Sequence, residues 1–82
     1  MSVKIAIVDD EEMIQWTLKE AMESEGYEVE TFNTGKEFID YFKKHGADIV
    51  FLDVRLPDTN GLELLPEIIH IDSESIVVVM TA

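Results

Sequence analysis

Acidic side chains stand directly after two apolar segments of the sequence. Asp9 and Asp10 follow residues 5–8, and Asp53 follows residues 49–52. A buried carboxylate is costly unless it is paired, metal-bound or neutralised, so such an acid either ends a strand or serves chemistry. Carboxylates about 4 Å apart repel by about 4 kcal/mol at an effective dielectric of about 20, and Mg²⁺ relieves that repulsion. If the two strands are neighbours, the acids predict a divalent-cation site.

A hydroxyl follows a third apolar segment. Thr81 comes directly after residues 75–80, and Ala82 follows it. If this segment is a strand of the same sheet, the Thr81 hydroxyl and the Ala82 backbone N–H can face an anion at the same edge. The alternative is a threonine that only ends the strand.

The elements that must position these residues follow from hydropathy. Continuous apolar runs at 3–8, 48–52 and 75–80 are typical of parallel strands covered on both faces, and the alternation at 27–32 indicates a half-exposed edge strand. Helical periodicity lies between them. This βαβαβαβ order predicts an α/β fold with a parallel sheet and right-handed crossovers. In such sheets, ligands bind beyond the carboxyl ends of the strands.

Three helices are expected. The first covers residues 11–25, the second opens at Thr34 and the third follows Gly61. Pro66 should kink the third helix or delay its start. The apolar residues expected to face the sheet are Ile14, Leu18, Ala21 and Met22 in the first helix, Phe38, Tyr41 and Phe42 in the second, and Leu62, Leu65, Ile68 and Ile69 in the third.

Composition and charge argue against several classes of function. The 82 residues fit one domain, and a net charge of −12 argues against direct contact with nucleic acid or an anionic membrane. The sequence has no cysteine, so it offers neither a disulfide nor a thiolate nucleophile. Its N-terminus reaches acidic residues after four apolar ones, too few for a signal peptide or a membrane span. We therefore expect a cytoplasmic protein.

Three segments resemble the receiver domain of two-component response regulators: "IAIVDDEE" at 5–12, "IVFLDVRLPDTNGLELL" at 49–65 and "IVVVMTA" at 76–82. The resemblance implies a flavodoxin-like, doubly wound α/β fold. It also implies a phosphoacceptor rather than an enzyme, with at most slow autodephosphorylation. Its partner would be a sensor histidine kinase or a phosphotransfer protein.

The resemblance also implies roles for single residues. Asp53 resembles the phosphorylated aspartate, and Asp10 the direct ligand of Mg²⁺ or Mn²⁺. Asp9 would assist Asp10 through water, and the Arg55 backbone carbonyl would complete the ligands. Thr81 is similar to the switch hydroxyl that turns towards the phosphoryl group. The loop would be shaped by two further residues, Pro57 and Gly61.

The sequence departs from the family pattern at one end. The resemblance implies that residues 1–82 are the N-terminal portion of a receiver domain, an incomplete (βα)3β fragment without the last strand and the last two helices. The family's lysine after the fifth strand then has no equivalent, so phosphoryl transfer should be impaired. All five lysines lie well before the fourth strand: Lys4, Lys19, Lys36, Lys43 and Lys44.

The fourth strand would then be an unguarded edge. Residues 76–80 are apolar and contain neither proline nor charge, so nothing opposes pairing with another strand. We expect a homodimer through this edge, kept small by the net negative charge.

Other functions fit less well. A phosphohydrolase of the haloacid dehalogenase type needs a second aspartate two residues after Asp53, where Arg55 stands. The acids around "DTNG" lack calcium-loop spacing, and no glycine-rich loop offers to bind a nucleotide. The remaining alternative is a structural or dimerisation module that keeps the fold without phosphorylation.

Overall fold

One parallel sheet organises the chain. The computed structural model describes residues 2–81. Its elements are β1 (Lys4–Val8), α1 (Glu12–Ser24), β2 (Glu28–Phe32), α2 (Gly35–His45), β3 (Ile49–Asp53), a 3₁₀ turn (Gly61–Leu64), α3 (Leu65–Ile71) and β4 (Ile76–Met80). The strand order is β2-β1-β3-β4, and all three pairings are parallel. The predicted flavodoxin-like α/β fold is therefore confirmed, with β2 at an edge.

The face of the sheet under α2 and α3 is tightly packed. Phe38 and Phe42 of α2 stack at 5.2 Å between ring centroids and are fully buried, as is Ile68 of α3. They pack with Val50 and Leu52 of β3 in one apolar cluster. Helix α2 begins at a predicted signal: the N–H of Glu37 donates to the Thr34 side chain at 3.1 Å.

The face under α1 is more open. Its cluster has only three buried members, in β1 and β2, namely Ile5, Ile7 and Val29. No residue of α1 is buried. Leu18 and Met22 pack against this cluster as predicted, but Ile14 and Ala21 remain exposed. The prediction for those two residues was wrong because a single helix covers this face.

The third helix turns some other side chains towards the sheet than the sequence predicted. Leu62 and Ile69 were expected to face inward, yet they are 47% and 57% exposed. Ile68 is fully buried and Leu65 packs partly buried against the main cluster, both as predicted, whereas Leu64 is buried although it was not predicted to face inward. The 3₁₀ turn that precedes α3 has three residues per turn, so it shifts the inward side away from simple helical spacing. Pro66 lies in the first turn of α3, so it delays the α-helix rather than kinking it.

Strand β4 is exposed along much of its length. Within residues 2–81 it pairs with β3 alone, and Ile76, Val78 and Val79 are 60%, 40% and 38% exposed. This agrees with the sequence, which predicted an unguarded edge at residues 76–80. In the same part of the chain, no helix has the length and apolar character needed to cross a bilayer.

Candidate metal centre

Three carboxylates meet at the carboxyl edge of the sheet, as the sequence predicted. Asp9, Asp10 and Asp53 each offer an oxygen, and these oxygens lie within 4.8 Å of one another. They converge because β1 and β3 are hydrogen-bonded neighbours whose ends are level, with Val8 opposite Leu52. The cluster consists of hard oxygen donors at one point, which is the ligand type that Mg²⁺ and Mn²⁺ prefer.

Asp9 is the most enclosed of the three acids. It is 5% exposed, and one carboxylate oxygen accepts the Glu11 N–H at 2.8 Å. Its own N–H donates to the Phe32 carbonyl at 3.0 Å, so its backbone is tied to β2. Burial raises the pKa of the Asp9 carboxyl, and repulsion from Asp53 adds to the rise. A cation between the acids would offset both effects.

Asp53 is half-buried at the end of β3, and one carboxylate oxygen accepts the Arg55 N–H at 3.1 Å. The loop after it returns closely, because the Gly61 N–H donates to the Val54 carbonyl at 2.7 Å. A Cβ at Gly61 would lie 2.0 Å from the Asp53 carbonyl oxygen, so only glycine fits there. Within residues 2–81, no hydrogen bond uses the Arg55 carbonyl oxygen, which leaves it available as a ligand.

A small cavity opens beside the acids. Its volume is about 120 Å³, and it is lined by Asp9, Glu11, Ile14, Asp53, Met80 and Thr81. Thr81 thus shares a cavity with Asp53, as its position after β4 predicted. The predicted contribution of the Ala82 N–H lies outside the described residues. Pro57 is exposed on the loop after β3.

No lysine lines this cavity in the part of the chain that the structure describes. Two lysines of α2 engage acids elsewhere. Lys36 Nζ lies 2.9 Å from Asp40, and Lys43 Nζ lies 4.0 Å from Glu67. The acidic site therefore has no ammonium group among its described neighbours.

Two supporting residues were missed by sequence reasoning. The Gln15 side-chain N–H₂ donates to the Asp9 carbonyl and to Asn33 Oδ1, the latter at 2.6 Å, so it joins α1 to the ends of β1 and β2. Asp58 reaches from the loop after β3 to the start of α2. These contacts join residues up to 23 positions apart. No local spacing could have revealed them.

Comparison with known proteins agrees with this geometry. The family model of the response regulator receiver domain matches residues 5–82. Sporulation initiation phosphotransferase F of Bacillus subtilis is 37% identical over 82 residues, which cover all of this chain and 66% of that protein. The chain spans about a third of the length of several longer transcriptional regulators that it matches.

Solved structures agree as well. A CheY-like receiver domain protein from Methanospirillum hungatei JF-1 matches with a TM-score of 0.95 and 31% identity, over 99% of this chain and 65% of that one. A beryllofluoride-activated NtrC4 receiver domain, solved in solution as a dimer, matches with a TM-score of 0.88 and 33% identity, over 93% of this chain and 63% of that one.

Proposed function

Because the chain belongs to the response regulator receiver domain family, we propose that it accepts a phosphoryl group on Asp53. The donor would be a sensor histidine kinase or a phosphotransfer protein. The observation that carries this proposal is the Asp53 carboxylate at the sheet edge, within 4.8 Å of two further carboxylate oxygens. The strand behind Asp53 holds it still, while its side chain borders a cavity that a donor can reach.

We assign the ligands of a Mg²⁺ or Mn²⁺ ion to the same edge. Asp10 and Asp53 would bind it directly, Asp9 through water, and Arg55 through its backbone carbonyl. Asp10 suits the direct role because its side chain is exposed, whereas Asp9 is enclosed. When bound, the cation would offset the negative charge that builds up between acceptor and phosphoryl oxygens.

The transfer itself requires little of the protein beyond position. An Asp53 carboxylate oxygen attacks phosphorus, a new P–O bond forms, and the bond from phosphorus to the donor nitrogen or oxygen breaks. The product is an acyl phosphate, whose phosphoryl group carries roughly −1.5 to −2 charges in place of the single carboxylate charge and offers new acceptor oxygens. Thr81 shares the cavity and would turn its hydroxyl towards these oxygens, together with the Ala82 N–H. Pro57 and Gly61 would shape the loop without chemical contact.

The reaction should be slow in these 82 residues. Arg and Lys side chains stabilise a transferring phosphoryl group, and no lysine lines the cavity among its described neighbours. We therefore regard the chain as an acceptor and not as an enzyme, with at most slow autodephosphorylation. We place it in the cytoplasm, where its donors would be, and assign residues 1–82 to a receiver domain.

Labelling with a small phosphodonor tests the acceptor role. The chain is incubated with acetyl phosphate and Mg²⁺, and the adduct is located by mass spectrometry. We expect a slow, hydroxylamine-labile adduct on Asp53 that Asp53→Asn abolishes. Asp48→Asn is the matched control, because Asp48 flanks the opposite end of β3. Labelling that continues at full rate in Asp53→Asn would overturn the site, and no labelling at all would favour a structural or dimerisation module.

We further propose that two copies associate through β4. Ile76 and Val78 lie beside Ile49 and Phe51 on the open face, and both are exposed. An apolar strand with an unpaired edge is a template for a second strand. A related NtrC4 receiver domain forms a dimer in solution. The charge of −12 opposes larger aggregates and so favours a closed two-fold pair.

A lysine on β4 tests this association. Val78→Lys should shift the dimer to monomer at micromolar concentration, because burying an unpaired ammonium is costly. Ser73→Lys adds the same charge on an exposed residue before the strand and should leave the dimer intact. Light scattering at several concentrations measures both. A parent chain that stays monomeric at high micromolar concentration, or a Val78→Lys dimer of unchanged strength, would refute the interface.

A further inference from the structure

The loop between β3 and the 3₁₀ turn is fastened to the start of α2 by one side chain. One oxygen of the Asp58 carboxylate accepts the Gly35 N–H at 2.9 Å, and the other accepts the Lys36 N–H at 3.0 Å. These amides belong to the first turn of α2, where backbone donors lack helical partners. The hydrogen bond from Gly35 lowers the pKa of the Asp58 carboxyl, so it is ionised at neutral pH and both bonds are charge-assisted.

Loop and helix approach each other closely at Gly35. Gly35 is buried, and a Cβ on it would lie 2.9 Å from Thr59 Cγ2 and 3.0 Å from Leu64 Cδ1. Such distances are below ordinary van der Waals contact, so a Cβ here would have to push these two side-chain methyl groups aside. Asp58 therefore fixes the tip of the loop at a defined distance from α2, on the tightly packed side of the sheet.

The base of the same loop is fixed at the acidic site. Gly61 donates to Val54 at 2.7 Å, Arg55 and Asn60 form an antiparallel bridge, and the Leu56 N–H donates to Thr59 at 3.2 Å. The loop is thus a narrow hairpin with its base against Asp53 and its tip against α2. Arg55 lies between these two attachments, and its carbonyl is the ligand assigned above.

We propose that Asp58 is a positioning residue for the cation site. Its two hydrogen bonds hold the hairpin in one orientation, so that the Arg55 carbonyl and the Asp53 carboxylate are arranged before the cation arrives. This inference rests on the proposed function, since it concerns the same ligands. A residue that only caps α2 would stabilise the fold without altering how the folded chain binds a cation.

Linkage supplies a second consequence. The two hydrogen bonds from the Gly35 and Lys36 amides to Asp58 form a clamp between the loop and α2. If this clamp strengthens cation binding, then cation binding must stabilise the clamp by the same factor. In the parent chain, Mg²⁺ should therefore slow hydrogen exchange at the Gly35 and Lys36 amides. Neither amide belongs to a residue assigned to the cation, so their protection reports on the clamp itself.

The test compares Asp58→Ala with Asp40→Ala. Both changes remove one exposed carboxylate near the start of α2, but Asp40 contacts Lys36 Nζ and not the loop. The affinity for Mg²⁺ is measured by NMR titration of the folded chain, and hydrogen exchange of the Leu56 and Gly61 amides is measured without metal. Loss of an outer-shell partner typically weakens metal binding by about 10-fold or more. We expect such a loss, with faster loop exchange, in Asp58→Ala, and neither change in Asp40→Ala. Asp58→Asn keeps one acceptor oxygen, so its Mg²⁺ affinity and loop exchange should lie between those of the parent and Asp58→Ala. It replaces the alanine variant in the comparison if that variant does not fold.

Two results would overturn the inference, and a third would instead disprove the proposed metal site. If Asp58→Ala unfolds more easily but binds Mg²⁺ as the parent does, Asp58 is only a helix cap. Unchanged exchange at Leu56 and Gly61 leads to the same conclusion. If the parent chain binds no Mg²⁺, the proposed metal site fails, and the exchange of the loop amides alone then decides whether Asp58 orders the hairpin.

Discussion

The two faces of the sheet differ in how completely the helices bury them. Under α2 and α3, Phe38, Phe42 and Ile68 are fully buried. On the other face α1 has no buried residue, and Trp16 is 62% exposed. Side chains alternate between faces along a strand, so β3 contributes to both faces. Val50 and Leu52 are buried in the packed face, while Phe51 lies on the open one.

This asymmetry would let the proposed acceptor be both rigid and reachable. By the same alternation, Asp53 points to the side of Ile49 and Phe51, which is the open face. Its backbone is held by Leu52 and Val50, both fully buried on the packed face. A fixed strand with a side chain on an accessible face suits a group that must be reached by a donor protein.

The largest expected effect comes from breaking the packed face. Phe42→Ala should lower the free energy of unfolding by about 3–5 kcal/mol, because it leaves a cavity in the main cluster. Met22→Ala on the open face should cost clearly less, since Met22 is only partly buried. Urea denaturation of both variants measures the difference. Equal losses would mean that the two faces contribute alike, contrary to the comparison.

A smaller effect is expected at the carboxyl edge of the open face, at Asp9. Its pKa is raised by burial and then by Asp53, so the folded chain binds more protons than the unfolded chain between the ordinary and the raised pKa. Without metal, stability should therefore fall as pH rises through that window and stay lower above it. Asp9→Asn should be more stable than the parent at pH 7, and the advantage should shrink as the pH falls through the raised pKa.

Urea titrations at several pH values, with and without Mg²⁺, measure this dependence. Saturating Mg²⁺ should reverse the order, because the parent keeps its charged acid for the cation. A metal-free Asp9→Asn that follows the parent at every pH would show that neither burial nor repulsion raises the pKa of Asp9.

The sequence predicted the frame of this site well. The parallel α/β sheet follows from the continuous apolar runs and the helical periodicity between them. The meeting of Asp9, Asp10 and Asp53 was predicted on the condition that their two strands are neighbours, which β1 and β3 are, because parallel neighbours bring their carboxyl ends to one edge. The Thr34 cap was predicted as well, because its spacing to Glu37 is local.

What the sequence could not predict depends on contacts between distant segments. The 3₁₀ turn before α3 reversed the exposure expected for Leu62 and Ile69, and short 3₁₀ turns leave little trace in hydropathy. The amide of Gln15 and the carboxylate of Asp58 reach partners up to 23 positions away. Such tertiary hydrogen bonds follow from how the elements pack and not from their own patterns.

Thermal and urea unfolding in the presence of Mg²⁺ test most directly whether the three acids at the sheet edge form a cation site. At about 100 times its dissociation constant, a ligand of the folded state raises the free energy of unfolding by about 2.7 kcal/mol. We expect this rise in the parent chain and in Met22→Ala, whose change lies away from the edge, and a much smaller rise in Asp10→Ala. An equal rise in Asp10→Ala and the parent would contradict the assignment.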